Sequence, residues 1–260
     1  MYFETHAHYD DRAFDEDREE ILPALIHAGV DTVINPGCDL VSTEKAKEIA
    51  ERYSFVWFAA GIHPEELDSI PENYISRLRA AASHPKCVAI GEIGLDYYWD
   101  VSRKDLQREI FEAQLCLAEE LKLPVIIHDR EAHGDCLEII RNHPEAFGVF
   151  HCYSGSAEMA EELLRRGWYL GFDGPVTYKN ARKTIEVLTI TPLNRILIET
   201  DSPYLSPVPM RGKRNDSRNL RFIAEKIAEV KGIPSEELAA ITTGNAKTLF
   251  HVKENCQEVG

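Results

Sequence analysis

No Cys-x-x-Cys pair occurs in the chain, no apolar run is long enough to span a bilayer, and basic residues are outnumbered by acidic ones. Each absence removes a class of protein. The six cysteines (Cys38, Cys87, Cys116, Cys136, Cys152 and Cys256) are scattered through 260 residues, so neither a zinc knuckle nor a disulfide framework is expected. A membrane helix needs about 20 consecutive apolar residues, which are missing. The first residues also lack the basic-then-apolar order of a signal peptide, so the expected compartment is the reducing cytoplasm. A formal net charge of −15 argues against a broad basic face that wraps nucleic acid, while leaving room for a small cationic pocket. No G-x-G-x-x-G follows an apolar run, which counts against an open dinucleotide-binding sheet. No linker-like stretch interrupts the pattern, so residues 1–260 read as one domain, by default a monomer.

What is present is an alternation of short apolar runs and helical patterns, in a chain that is 44% hydrophobic and 28% charged. Strand-like runs are expected near 2–8, 32–37, 55–62, 87–92, 123–128, 147–151, 168–172 and 195–201. Helical periodicity covers 15–29, 41–53, 102–122, 159–166 and 219–231, with a short helix after Thr242. Pro71 is placed in the first turn of a helix carrying Ile75, Leu78 and Ala82. In the helix over 102–122, Leu106, Ile110, Ala113, Leu117 and Leu121 share a face, and Ser102 with Asp105 resembles a capping box. Strands alternating with helices imply parallel βαβ units, and eight such units predict an α/β fold of the (β/α)₈ TIM-barrel type.

Polar residues able to hold a metal end six of the eight expected strands: His6 and His8, His63, Glu92, His128, His151 and Asp201. The two histidines of Thr5-His6-Ala7-His8 fall on one side of a strand because side chains alternate faces. In a barrel all these ends meet at one rim. Five imidazoles and two carboxylates crowded there would be desolvated and mutually repulsive unless cations hold them together. Cys152 adjoins His151, but neighbours on a strand face opposite ways, so a Cys-His catalytic pair is not expected. His133 reads as a solvated loop histidine near the His128 rim.

The runs Thr5-His6-Ala7-His8, Gly61-Ile62-His63-Pro64, Gly91-Glu92-Ile93-Gly94-Leu95-Asp96-Tyr97, Ile127-His128-Asp129-Arg130, His151-Cys152-Tyr153-Ser154-Gly155, Glu199-Thr200-Asp201-Ser202-Pro203-Tyr204 and Arg211-Gly212-Lys213-Arg214-Asn215 together resemble the motifs of the TatD-type metal-dependent deoxyribonucleases, within the amidohydrolase-like TIM barrels. The resemblance spans nearly the whole chain in order. One departure is that the family follows its R-G-x-x-N with Glu-Pro, where this chain has Asp216-Ser217, which bears on the shape of that loop.

The resemblance implies two divalent ions, Mg²⁺, Mn²⁺ or Zn²⁺. His6, His8 and Asp201 would hold one, His128 and His151 the other, and Glu92 would bridge them. Two dications would outweigh two carboxylates and make the pocket positive, as a phosphodiester requires. It further implies water attack on phosphorus with Asp201 as general base. The expected substrate is the end of a single-stranded nucleic acid, cut as by a 3′-5′ exonuclease. His63, Arg130, Arg211 and Lys213 are the candidates for its phosphates, and Lys179 reads better as a surface cation. The rivals are an amide or ester hydrolase on the same scaffold, including one that removes an amino acid from tRNA, and a metal-dependent binding module without turnover.

Overall fold

The computed structural model describes residues 1–68 and 70–252. Cys256 and the last residues of the expected 1–260 domain lie outside them. Strands β1 (Tyr2–Glu4), β2 (Val30–Pro36), β3 (Val56–Ala60), β4 (Cys87–Asp96), β5 (Val125–Arg130), β6 (Gly148–Phe150), β7 (Tyr169–Phe172) and β8 (Ile196–Ile198) pair in sequence order, all parallel. Past β1 and β8, Ala7 bridges Ser202 in parallel, with Asp201 N donating to His6 O at 2.9 Å and His8 N to Ser202 O at 2.7 Å. The sheet thereby closes into a (β/α)₈ TIM barrel. Helices α1 (Arg18–His27), α2 (Leu40–Arg52), α3 (Tyr74–Ala82), α4 (Lys104–Leu121), α5 (His133–Asn142), α6 (Ala157–Arg165), α7 (Arg182–Ile190) and α8 (Leu220–Lys231) connect or follow the strands, and α9 (Ser235–Phe250) ends the described fold.

Alternation along each strand splits its apolar run between two cores. One cluster takes a residue from every strand: Phe3, Ile34, Ala59, Ala89, Ile126, Val149, Tyr169 and Leu197. These fill the barrel interior, and Ala246, Leu249 and Phe250 of α9 join them. The other cluster takes the intervening residues, such as Val33, Phe58, Ile127 and Phe150, and packs them against the helices. The short helix expected after Thr242 is therefore a 16-residue helix that plugs one end of the barrel. Phe250 stacks on Phe3 at 6.4 Å, and Asn245 Nδ2 donates to Leu193 O and Ile196 O, both at 2.8 Å. Burying a side chain the size of phenylalanine is worth about 1.5–3 kcal/mol, which ties the plug to the strands.

Three local expectations are corrected. Pro71 precedes α3 rather than opening it, since two turn residues intervene and Asn73 is the N-cap. Asp100, not Ser102, starts the α4 region: its side chain accepts from Ser102 N at the head of a 3₁₀ turn that runs into α4. Leu106 is exposed, and the buried face of α4 instead includes Gln107 and Gln114. Their amides bond strand-end backbone: Gln107 pairs with both Asp96 N and O at 2.8 Å, and Gln114 with Ile62 N at 2.7 Å and Ile62 O at 3.1 Å.

Candidate metal centre

Residues two apart on a strand point the same way, so the inward apolar row continues at the open mouth as a polar one. Ile126 is followed by His128, Val149 by His151 and Leu197 by Glu199. Glu92 lies within β4, His63 follows β3, and His6 and His8 flank the bridging Ala7.

Glu92 is the hub. Its Oε2 lies 3.2 Å from His6 Nε2 and 3.6 Å from His8 Nε2. Its Oε1 lies 3.0 Å from His128 Nδ1, 3.2 Å from His151 Nε2 and 3.6 Å from His63 Nε2. Asp201 Oδ1 stands on the Oε2 side, 3.7 Å from His6 Nε2 and 3.6 Å from His8 Nε2. Seven candidates scattered over the sequence thus converge on one point.

These donors suit divalent ions. An ion bonded at about 2.1 Å sets neighbouring donors about 3.0 Å apart in an octahedron and about 3.4 Å apart in a tetrahedron. His6, His8 and Glu92 form one set of close donors, and Glu92, His128 and His151 a second. Hydrogen bonding alone is a poor account of the first set. The Nε2 atoms of His6 and His8 face each other at 3.0 Å, where they share at most one proton, and buried His6 Nδ1 has no hydrogen-bond partner. His63 differs: Glu65 N donates to its Nδ1 at 3.2 Å, which leaves the proton of a neutral ring on Nε2, facing the mouth. A ring protonated on Nε2 can donate a hydrogen bond at the mouth.

Charge is strongly coupled here. Burial raises the Glu92 carboxyl, but the facing His6, His151 and His63 outweigh it and hold it well below the usual range. Burial lowers His128, yet Asp96 and Glu92 overcome that and push it up to about 9.

Three of the buried acids that received no role from the sequence bear directly on these histidines. Asp96 Oδ2 lies 2.9 Å from His128 Nε2, on the ring edge opposite Glu92. Glu199 Oε1 lies 3.3 Å from His151 Nδ1 and accepts from Cys152 N at 2.6 Å. Asp96 thereby stands behind a histidine, where a carboxylate orients the ring and raises its basicity, while Glu199 faces His151 as a charge without a hydrogen bond to Nδ1. Glu4 accepts from His6 N at 3.2 Å and Thr200 N at 2.9 Å, and burial pushes its carboxyl up to about 8. The count of two carboxylates is therefore corrected: Asp96 and Glu199 also face the cluster, so two dications would balance four carboxylates rather than outweigh two. Counting by two outward from Leu197 would have found Glu199.

Of the substrate candidates, Arg130 lines two of the cavities that reach this cluster, of about 250 and 470 Å³. Arg211 lies over the Tyr178 ring at 4.3 Å, while Lys213 and Lys179 are exposed. Among the described residues these three are not in the lining of those two cavities. His133 opens α5, with Nδ1 2.9 Å from Asp129 Oδ2, rather than standing in a solvated loop. The Asp216-Ser217 departure is accommodated locally. Asp216 caps a 3₁₀ turn, Tyr9 OH donates to Ser217 Oγ at 2.8 Å, and buried Asn215 Nδ2 donates to Thr200 O at 2.8 Å and Tyr204 O at 2.7 Å.

The family model described as TatD related DNase matches residues 3–251. The chain is 44% identical over 254 residues to the metal-dependent hydrolase YabD of Bacillus subtilis (strain 168), covering 97% of this chain and all of that protein. It is 34% identical over 246 residues to the 3'-5' ssDNA/RNA exonuclease TatD of Citrobacter koseri, covering 92% and 95%. The crystal structure of YJJV, a TatD homologue from Escherichia coli K12, superposes with a TM-score of 0.91 at 31% identity, covering 97% of this chain and 98% of that one.

Proposed function

This chain belongs to the family of TatD-related DNases, and on that premise we propose that it is a two-metal phosphodiesterase releasing nucleotides from the 3′ ends of single strands. The observation that carries this reading is the split of Glu92, whose two oxygens address two separate histidine sets. His6, His8 and Asp201 would hold one ion and His128 and His151 the other, with Glu92 between them. With divalent ions bound, the centre gains Lewis acidity that acidifies water and offsets charge on phosphoryl oxygens. Asp201, whose side chain keeps 16% exposure at the mouth, accepts the proton of the attacking water. His63 Nε2 donates to a non-bridging oxygen of the scissile phosphate. Arg130 meets the neighbouring phosphate at the rim, and Arg211 and Lys213 meet phosphates farther along the strand. Relatives named 3'-5' ssDNA/RNA exonuclease supply the polarity in this proposal.

The test pairs metal content of the purified protein with product analysis on 5′-end-labelled single-stranded DNA. The expected result is about two divalent ions per chain, a ladder of strands shortened from the 3′ end, loss of activity on chelation and recovery on readdition. Amino-acid release from aminoacyl-tRNA with no nucleotide release would replace this reading with the amide-or-ester alternative.

A further inference from the structure

The loop after β4 carries two large aromatic side chains that no packing explains. Tyr98 is 56% exposed and Trp99 is 62% exposed, their rings meeting edge to face at 4.9 Å. Exposed aromatic surface of this size is unfavourable in water and marks a binding face when it borders a cleft. Trp99 lines the same cavity of about 470 Å³ as His63, Glu92, His128 and Asp201. The Arg130 guanidinium sits over the Tyr98 ring at 4.2 Å and 5.6 Å from the Trp99 ring.

The loop is not loosely hung. Asp96 Oδ1 accepts from Tyr98 N at 2.9 Å and Trp99 N at 3.0 Å, while Oδ2 of the same carboxylate faces His128 Nε2 at 2.9 Å. Gln107 in turn fixes Asp96 through its backbone and reaches Asp100 O at 3.0 Å. One buried carboxylate therefore sets both a histidine of the metal cluster and the position of the aromatic pair.

We propose that Trp99, with Tyr98, is a stacking platform for an unpaired nucleobase next to the scissile phosphate. The ligand class is a single strand carrying bases, and the inference rests on the phosphodiesterase reading above. Charge favours this occupant. The opposite side of the mouth sets Asp10, Asp11, Asp39 and Glu66 against only Arg12 and Lys45, and the whole chain carries −15, so phosphate contacts alone give a weak grip on a polyanion. Base stacking adds affinity without net charge, about 1–3 kcal/mol per base. It also requires the base to be out of a duplex, which restricts substrates to free strands and frayed ends.

The experiment compares kcat/KM on a single-stranded DNA octamer with kcat/KM on an octamer of the same phosphate backbone built from abasic tetrahydrofuran residues. Wild-type protein is expected to prefer the base-bearing strand by at least about tenfold. Trp99→Ala should cut that preference about tenfold and Trp99→Phe should keep most of it. Tryptophan fluorescence gives a second readout, because Trp168 is buried and Trp57 partly so: the base-bearing strand should quench wild-type emission and the abasic strand should not. An unchanged preference in Trp99→Ala overturns the platform, including the case where that variant changes oligomeric state because the pair serves self-association. Base-dependent quenching without hydrolysis of either strand would sustain the platform and overturn the phosphodiesterase reading. Absence of both overturns both.

Discussion

At Asp201 the chain leaves the line of β8 with φ at 54°, a left-handed backbone that aspartate and asparagine tolerate better than most residues. That turn is what brings its carboxylate beside the Nε2 atoms of His6 and His8, from the far end of the sequence. Asp201→Asn keeps the backbone preference, the shape and one oxygen, and removes only the proton acceptor. Turnover of single-stranded DNA should fall by at least about a hundredfold, with most of the bound metal retained. Steady-state kinetics alongside elemental analysis of the same preparation checks both halves, and wild-type rates would rule Asp201 out as the base. The residues of the mouth were unequally legible in the sequence. His6 and His8 gain their weight from the other polar strand ends, because a lone H-x-H near a terminus is as readily a pair of surface histidines. Glu199 and Asp96 obey the same two-residue rule, but a carboxylate near a turn has many ordinary uses and carries no signal by itself. Gln107 and Gln114 were hidden for another reason: a glutamine on a helix reads as solvent-facing until the strand ends it bonds are known.

At the scale of elements, strands were read well and helices unevenly. Apolar runs bounded by glycine and proline located all eight strands, though β4 runs on to Asp96, beyond the expected end at Glu92. Its continuation pairs with β5, Gly94 opposite His128 and Leu95 opposite Asp129, so β4 carries the hub carboxylate and also frames a histidine of the next strand. Helices α5 and α7 had no assigned range, since each buries only a few apolar residues in a short segment. The length of α9 was missed because its inward face is mostly small, with Ala239, Thr242, Thr243, Asn245 and Ala246 buried ahead of Leu249 and Phe250. Gly94 tests the β4–β5 arrangement. Its φ is 145°, and a Cβ there would lie 1.9 Å from His128 O. Gly94→Ala should therefore push the His128 backbone away, lowering stability by at least about 2 kcal/mol and weakening metal retention. Thermal denaturation with and without added divalent ions reads this out. A variant with wild-type melting and metal content would mean that the two strands yield without disturbing the centre.

For the whole molecule, the acidic balance and the proposed polyanionic substrate have to be reconciled. The 44 acidic residues exceed the 29 basic ones, and many of the basic ones are engaged: Arg108 with Asp135, Arg141 with Glu162, Arg214 with Asp17, Arg218 with Asp216. Cations committed to ion pairs are weak partners for a phosphate backbone, because recruiting them breaks the existing contact. The contacts proposed for a strand are the centre itself, Arg130 at the rim and the exposed Arg211 and Lys213. Each phosphate neutralised on a single strand contributes about −0.7 to the slope of log affinity against log salt. The three side-chain cations predict a slope of about −2 for kcat/KM on single-stranded DNA, measured at fixed divalent-ion concentration across about 50 to 300 mM potassium chloride. A protein tracking along duplex through a basic face would give a slope of about −5 or steeper. A steep slope here would mean that cations now tied in surface pairs are released to the substrate, and the end-directed, single-strand reading of this barrel would have to be abandoned.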